Sequence, residues 1–168
     1  MELREYVAES LERVRAATLT VVKDLTPEEL VWSPGPEANH IGFLLWHIAR
    51  WDDYPFNPCV SNHEQVWIAQ RWYRRFGLKP DDTGTGWTPQ QVADWTPPSL
   101  QELLQYMREV RDSIMAGLKE LDLGRLEERP RLDRPEQTIA NILQGRVIHE
   151  ANHQGEIQYL LGLKRRSS

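Results

Sequence analysis

The chain lacks the residues on which several kinds of protein depend. It has one cysteine, Cys59, among 168 residues. An internal disulfide is therefore excluded, and a reducing compartment is the natural setting. No apolar run approaches the roughly 20 residues that a membrane-spanning helix needs. The opening MELREYVAESLERV is charged and amphipathic, so it reads as neither a secretory signal nor a transit peptide. Basic residues are not in excess: the net charge is −5, with the two signs interspersed. Phosphate backbones are held by basic stripes, and the one cluster here, Lys164-Arg165-Arg166, is a short terminal tail. These features point to a cytoplasmic protein that binds neither nucleic acid nor membrane. No stretch alternates as a strand would, and no segment repeats.

What remains is helical pattern. Leu3, Val7, Leu11, Val14, Thr18, Val21 and Leu25 recur at spacings of four and three, which predicts a bundle helix over residues 2 to 24. LTPEELVW offers Thr26 and Glu29 as a capping box around a single turn. Asn39 stands as the cap of a second helix, HIGFLLWHIARWDDY, which should end near Tyr54-Pro55 because proline disfavours helix at the preceding residue. A third helical piece is expected from Ser61, boxed with Glu64, to Gly77. Residues 78 to 98 read as irregular, with a short turn around Pro89 to Ala93. Ser99 opens another long stripe (Leu100, Leu103, Leu104, Met107, Val110, Ile114, Leu118, Leu121), and the last helix runs from about Glu136 to Leu163. Four long amphipathic helices with one long middle connection make an all-α four-helix bundle, in a single domain spanning 1–168.

Seven tryptophans all lie between Trp32 and Trp95. Large rings there serve either as core and loop packing or as the wall of an aromatic pocket.

The last helix contains HEANHQGEIQYLLG, whose first five letters fit the H-E-x-x-H of zinc proteases. That reading fails on its third ligand. The extended protease motif needs Gly and His where this chain has Glu156 and Tyr159, and Glu156, the last acid after His153, is on the same helix. On a helical wheel His149 and His153 lie about 40° apart and continue the core stripe with Ile142 and Leu160. A core stripe is a costly place for imidazoles unless something satisfies them. His47 lies mid-way along the second helix, beside Phe43, Leu44 and Trp51 on its apolar side. His40 stands at that helix's entrance, and His63 reads as surface. Three neutral imidazoles from two facing helices can hold a divalent ion and leave coordination positions open. Glu156 fits a role in orienting a histidine, Glu150 that of a solvated flank residue, and Arg146 that of a partner to an acid.

NHIGFLLWHIARWDD followed far downstream by HEANHQGEIQYL resembles the DinB/YfiT-like superfamily of metal-binding four-helix bundles. The likeness extends through WIAQRWYRRFGL and PPSLQELLQYM and so covers nearly the whole chain. It implies a bundle of that type, with a long, partly helical connection between the second and third long helices. It also implies metal ligands at His47, His149 and His153 and a divalent ion, zinc or nickel. Relatives include transferases and isomerases that use low-molecular-weight thiols, so it further implies a thiol cosubstrate whose metal-bound thiolate attacks a small electrophile. A metal-dependent hydrolase and a non-enzymatic metal- or ligand-binding stress-response protein are the alternatives. The family commonly forms homodimers.

Overall fold

The computed structural model describes residues 2–166, and among them no strand occurs. Four long helices carry the architecture: α1 (Leu3–Val22), α3 (Ile41–Phe56), α7 (Leu100–Glu120) and α8 (Ile139–Arg166). Between α1 and α3 lies the single turn α2 (Pro27–Val31), started by the expected Thr26–Glu29 capping box. α3 packs against α7 and α8, and α1 packs against α8. This closes a four-helix bundle around Leu11, Leu44, Leu45, Ile48, Leu103, Ile114, Ile142 and Ile157, all fully buried. No helix among the described residues is long and apolar enough to cross a membrane.

The second long helix departs from expectation at both ends. His40, not Asn39, is its cap: the imidazole Nδ1 accepts from the Phe43 amide at 3.1 Å. Pro55 does not end the helix, which runs on to Phe56 and into a π-helical turn, Asn57–Ser61. Proline costs the helix one backbone donor. The burial of Phe56, together with a hydrogen bond from Asn57 Nδ2 to Asp53 Oδ1 at 2.7 Å, holds the backbone helical beyond it.

The connection from α3 to α7 is partly helical, as the sequence suggests, but its first part is not one helix. Two single turns, α4 (Val66–Ala69) and α5 (Trp72–Arg75), are separated by Arg71 in a left-handed conformation with φ of 54°. The start of α4 is held from outside rather than by the expected Ser61–Glu64 box. Buried Asp53 on α3 accepts from the Val66 amide at 3.0 Å and the Trp67 amide at 2.8 Å. Gly77 (φ +65°) stops this segment where the sequence predicts. α6 (Pro89–Asp94) follows, capped by Thr88 with Gln91. Trp67 and Trp72 are fully buried against Phe76 and Tyr106, and Trp46 is fully buried against Trp67. Trp32, Trp87 and Trp95 pack partly buried against the same core, so packing is what most of the tryptophans do.

Candidate metal centre

α3 presents His47, and α8 presents His149 and His153 one turn apart. The fold brings these three residues, 102 positions apart in sequence at the widest hydrogen-bonded pair, to one point. His149 Nε2 lies 3.2 Å from His47 Nε2 and 3.2 Å from His153 Nε2. One nitrogen from each ring falls within 4.8 Å of the others.

The remaining ring nitrogens fix which atoms carry lone pairs. His47 Nδ1 lies 2.6 Å from the Thr83 carbonyl, which can only accept, so in the neutral ring the proton is on Nδ1 and Nε2 is bare. His153 Nδ1 likewise donates to Glu156 Oε2 at 2.9 Å. Two lone pairs therefore point at the third imidazole nitrogen, an arrangement that suits a cation better than three rings alone. Burial, only partly offset by the Thr83 carbonyl, pushes His47 down to about 4. Burial, reinforced by the neighbouring histidines and Arg146, pushes His149 down to about 2. Both rings are thus neutral, and available as ligands, at neutral pH.

The Thr83 carbonyl is in place because of Gly84. That residue has φ +78°, and a Cβ there would stand 2.9 Å from both His47 Nδ1 and Trp46 Cζ3. Phe43 stacks on His47 with centroids 5.6 Å apart and planes 6° apart. On the other side Trp51 stacks on His149 at 4.3 Å and 14°, and the Arg146 guanidinium lies 4.1 Å over the Trp51 ring.

Several neighbours differ from their sequence reading. Glu150 is not a solvated flank residue: it is fully buried and bonded to Arg111 of α7, whose Nη2 also reaches Asp52 Oδ2 at 3.3 Å. Burial and the nearby Asp52 carboxylate push Glu150 up to about 7. Arg146 forms no hydrogen bond to an acid. It is fully buried, none of its three guanidinium nitrogens has a partner, and burial lowers it to about 10, which leaves it charged at neutral pH. Glu156 does bond a histidine, His153. His40 is taken up by its capping bond and a contact to the Val92 carbonyl at 3.3 Å, and His63 is exposed. Thr83 and Arg111 escaped the sequence reading, which set Trp51 beside His47 but not against His149. Only the T-G-T-G run around Gly84 hints at a backbone that must approach something closely.

The family pattern of the DinB superfamily matches residues 10–157, a span that includes all three histidines. A solved structure titled as the conserved protein of locus from Enterococcus faecalis superposes with a TM-score of 0.83, at 21% identity, over 96% of this chain and 96% of that one. At such identity the likeness speaks for the fold. No curated protein matches the chain.

Proposed function

Because the chain belongs to the DinB superfamily, we propose that its three converging imidazoles hold a divalent ion for a transferase that uses a low-molecular-weight thiol. The ligands in this reading are His47, His149 and His153. The observation that carries it is the donor set: three imidazole nitrogens brought within 4.8 Å of one another, with the second nitrogens of His47 and His153 taken up by Thr83 and Glu156. Three imidazoles suit zinc or nickel and leave positions for an outside ligand. The ion supplies Lewis acidity, which favours the thiolate form of a thiol at neutral pH.

The protein's own part is positional. His47 is anchored by Thr83 and covered by Phe43, so one side of the site is closed to water. His153 and Glu156 lie toward solvent, with side-chain exposures of 17% and 49%, and mark the open side. In the transfer, the thiol loses its proton to solvent and its sulfur bonds an electrophilic carbon of a small substrate. The leaving group departs with the bonding pair.

A thiol is preferred to water as nucleophile because the two carboxylates that α8 carries beside the histidines are engaged, Glu156 by His153 and Glu150 by Arg111. Neither is free to act as base for a water, whereas a thiol needs less help to ionise. The domain spanning 1–168 would act in the cytoplasm on small molecules, as a monomer or homodimer.

Metal analysis of untagged protein beside His47→Ala is the first test. The expected result is about one zinc or nickel ion per chain, lost in the variant. The loaded protein should then consume a small alkylating electrophile only when a thiol such as glutathione, bacillithiol or mycothiol is added. No ion after reconstitution would overturn the metal reading. Turnover without thiol would favour a hydrolase. Bound metal with no turnover across the panel would leave a binding protein.

A further inference from the structure

We infer that Trp51, clamped by Arg146, is the positioning residue for His149, taking by ring stacking the part that hydrogen bonds take for the other two histidines. The inference rests on the metal reading above and adds to it a residue outside the ligand set.

A histidine ligand ordinarily gives its second ring N–H to a carbonyl, carboxylate or water, and that bond fixes the tilt of the ring. His47 has Thr83 and His153 has Glu156. His149 is different: its Nδ1 is buried and meets no hydrogen-bond partner among the described residues. The χ2 torsion of an imidazole is broad, so an unanchored ring would swing Nε2 off the shared point. Trp51 is what prevents this. Its ring lies face to face with His149, with centroids 4.3 Å apart and planes within 14°. Sliding is permitted in such a stack, but tilting is not.

Trp51 is placed for this purpose rather than for the core. It is only half-buried and stands apart from the packed tryptophans Trp46, Trp67 and Trp72. It lies one helical turn after His47 on α3 and covers a ligand on α8, so a single side chain spans both ligand-bearing helices. Gly145 sits beside it, where a Cβ would meet Trp51 Cζ3 at 4.0 Å, an ordinary contact.

Arg146 closes the assembly. A fully buried guanidinium with no hydrogen-bond partner on any nitrogen is an expensive group that demands a reason. Besides attraction from the buried Asp52 carboxylate, its close contact is the Trp51 face, 4.1 Å away, where a desolvated cation–π attraction is strongest. Gly145, Arg146 and His149 lie within about one turn of α8, so the clamp, the glycine beside the ring and the ligand are encoded together.

The test compares full-length wild type with Trp51→Leu, Trp51→Phe and Gly145→Leu, the last intended to push the ring aside without removing it. Each is titrated with zinc against a chelator, loaded with cobalt(II) for its absorption spectrum, and melted without metal. Trp51→Leu and Gly145→Leu should bind zinc about 10- to 100-fold more weakly and shift the cobalt bands, by more than the drop in metal-free melting that uncovering Arg146 causes. Trp51→Phe, which keeps a flat face, should recover most of both. Wild-type affinity and spectrum in Trp51→Leu and Gly145→Leu would overturn the inference. So would losses in all three variants that merely track metal-free melting, since that is the mark of a structural role. Wild type that binds no zinc would remove the metal reading itself, a result distinct from a metal site indifferent to Trp51.

Discussion

Protons and the proposed metal ion would compete for the same lone pairs on His47 and His149, and the fold already disfavours the protons. Burial takes His47 from 6.5 to about 4, so between those values the unfolded chain binds a proton that the folded chain refuses. Its contribution to stability is fully present above pH 6.5 and is lost as the pH falls toward 4. Taken from 6.5 to about 4, it amounts to at most about 3 kcal/mol. Glu150 works in the opposite sense over the same range, because a carboxyl raised to about 7 takes its proton first in the folded state. The histidine term is therefore isolated by difference. In metal-free protein, urea titrations at pH 7 and pH 4 should show wild type losing more stability than His47→Gln, by up to about 3 kcal/mol. Parallel pH profiles would show that His47 is not held neutral by the fold. The convergence of the three histidines was legible in the sequence because four-residue spacing on an apolar stripe is a property of one helix, and His47 lay mid-way along another. Glu150 was misread for a complementary reason, and Arg146 in part, since Asp52 attracts it without a hydrogen bond. A wheel shows which side of α8 a residue faces, but not that α7 covers that side with Arg111 or that Trp51 reaches across from α3. Those partners are set by packing between segments far apart in the chain.

Elements were legible where their signals are local. The stripes of α1 and α7, the Thr26 box and the Gly77 stop all lie within a few residues of what they control. Legibility failed where a distant side chain does the controlling. Asp53 satisfies the first amides of α4 from another helix, so the 61 to 77 segment breaks into turns that its own sequence does not announce. The loop bearing Thr83 sets a similar problem, and Gly84 is its key. Alanine there would carry the strain of a left-handed φ and drive a methyl against His47, Trp46 and Phe43. The first costs about 1–2 kcal/mol and the second about 1–3 kcal/mol. Gly86 supplies the control, since it has φ +76° with nothing within 4 Å of its would-be Cβ. Gly84→Ala should destabilise metal-free protein by about 2–5 kcal/mol in urea denaturation and Gly86→Ala by only the strain, about 1–2 kcal/mol. Equal losses at the two positions would mean that the loop does not press on the histidine.

At the scale of the whole molecule, the proposed ion would be a cross-link between helices that the chain itself joins only through the long middle connection and α7. The bundle does not need it to close, since its apolar core is buried and α3 already packs on α8. Metal binding should therefore stabilise a structure that is already formed. Free ion at a thousand times its dissociation constant adds about 4 kcal/mol, which for a chain of this length raises Tm by about 8–16 °C. Calorimetric scans with zinc, with zinc and excess chelator, and without added metal should show the rise only in the first. In His47→Ala the rise should vanish, because the bond that joins α3 to α8 is gone. The Trp51→Leu variant should fall between the two, since about 10- to 100-fold weaker binding removes about 1.4–2.7 kcal/mol of that gain at the same free zinc. A rise of equal size in wild type and His47→Ala would assign the stabilisation to zinc bound elsewhere on an acidic surface and separate it from the three histidines.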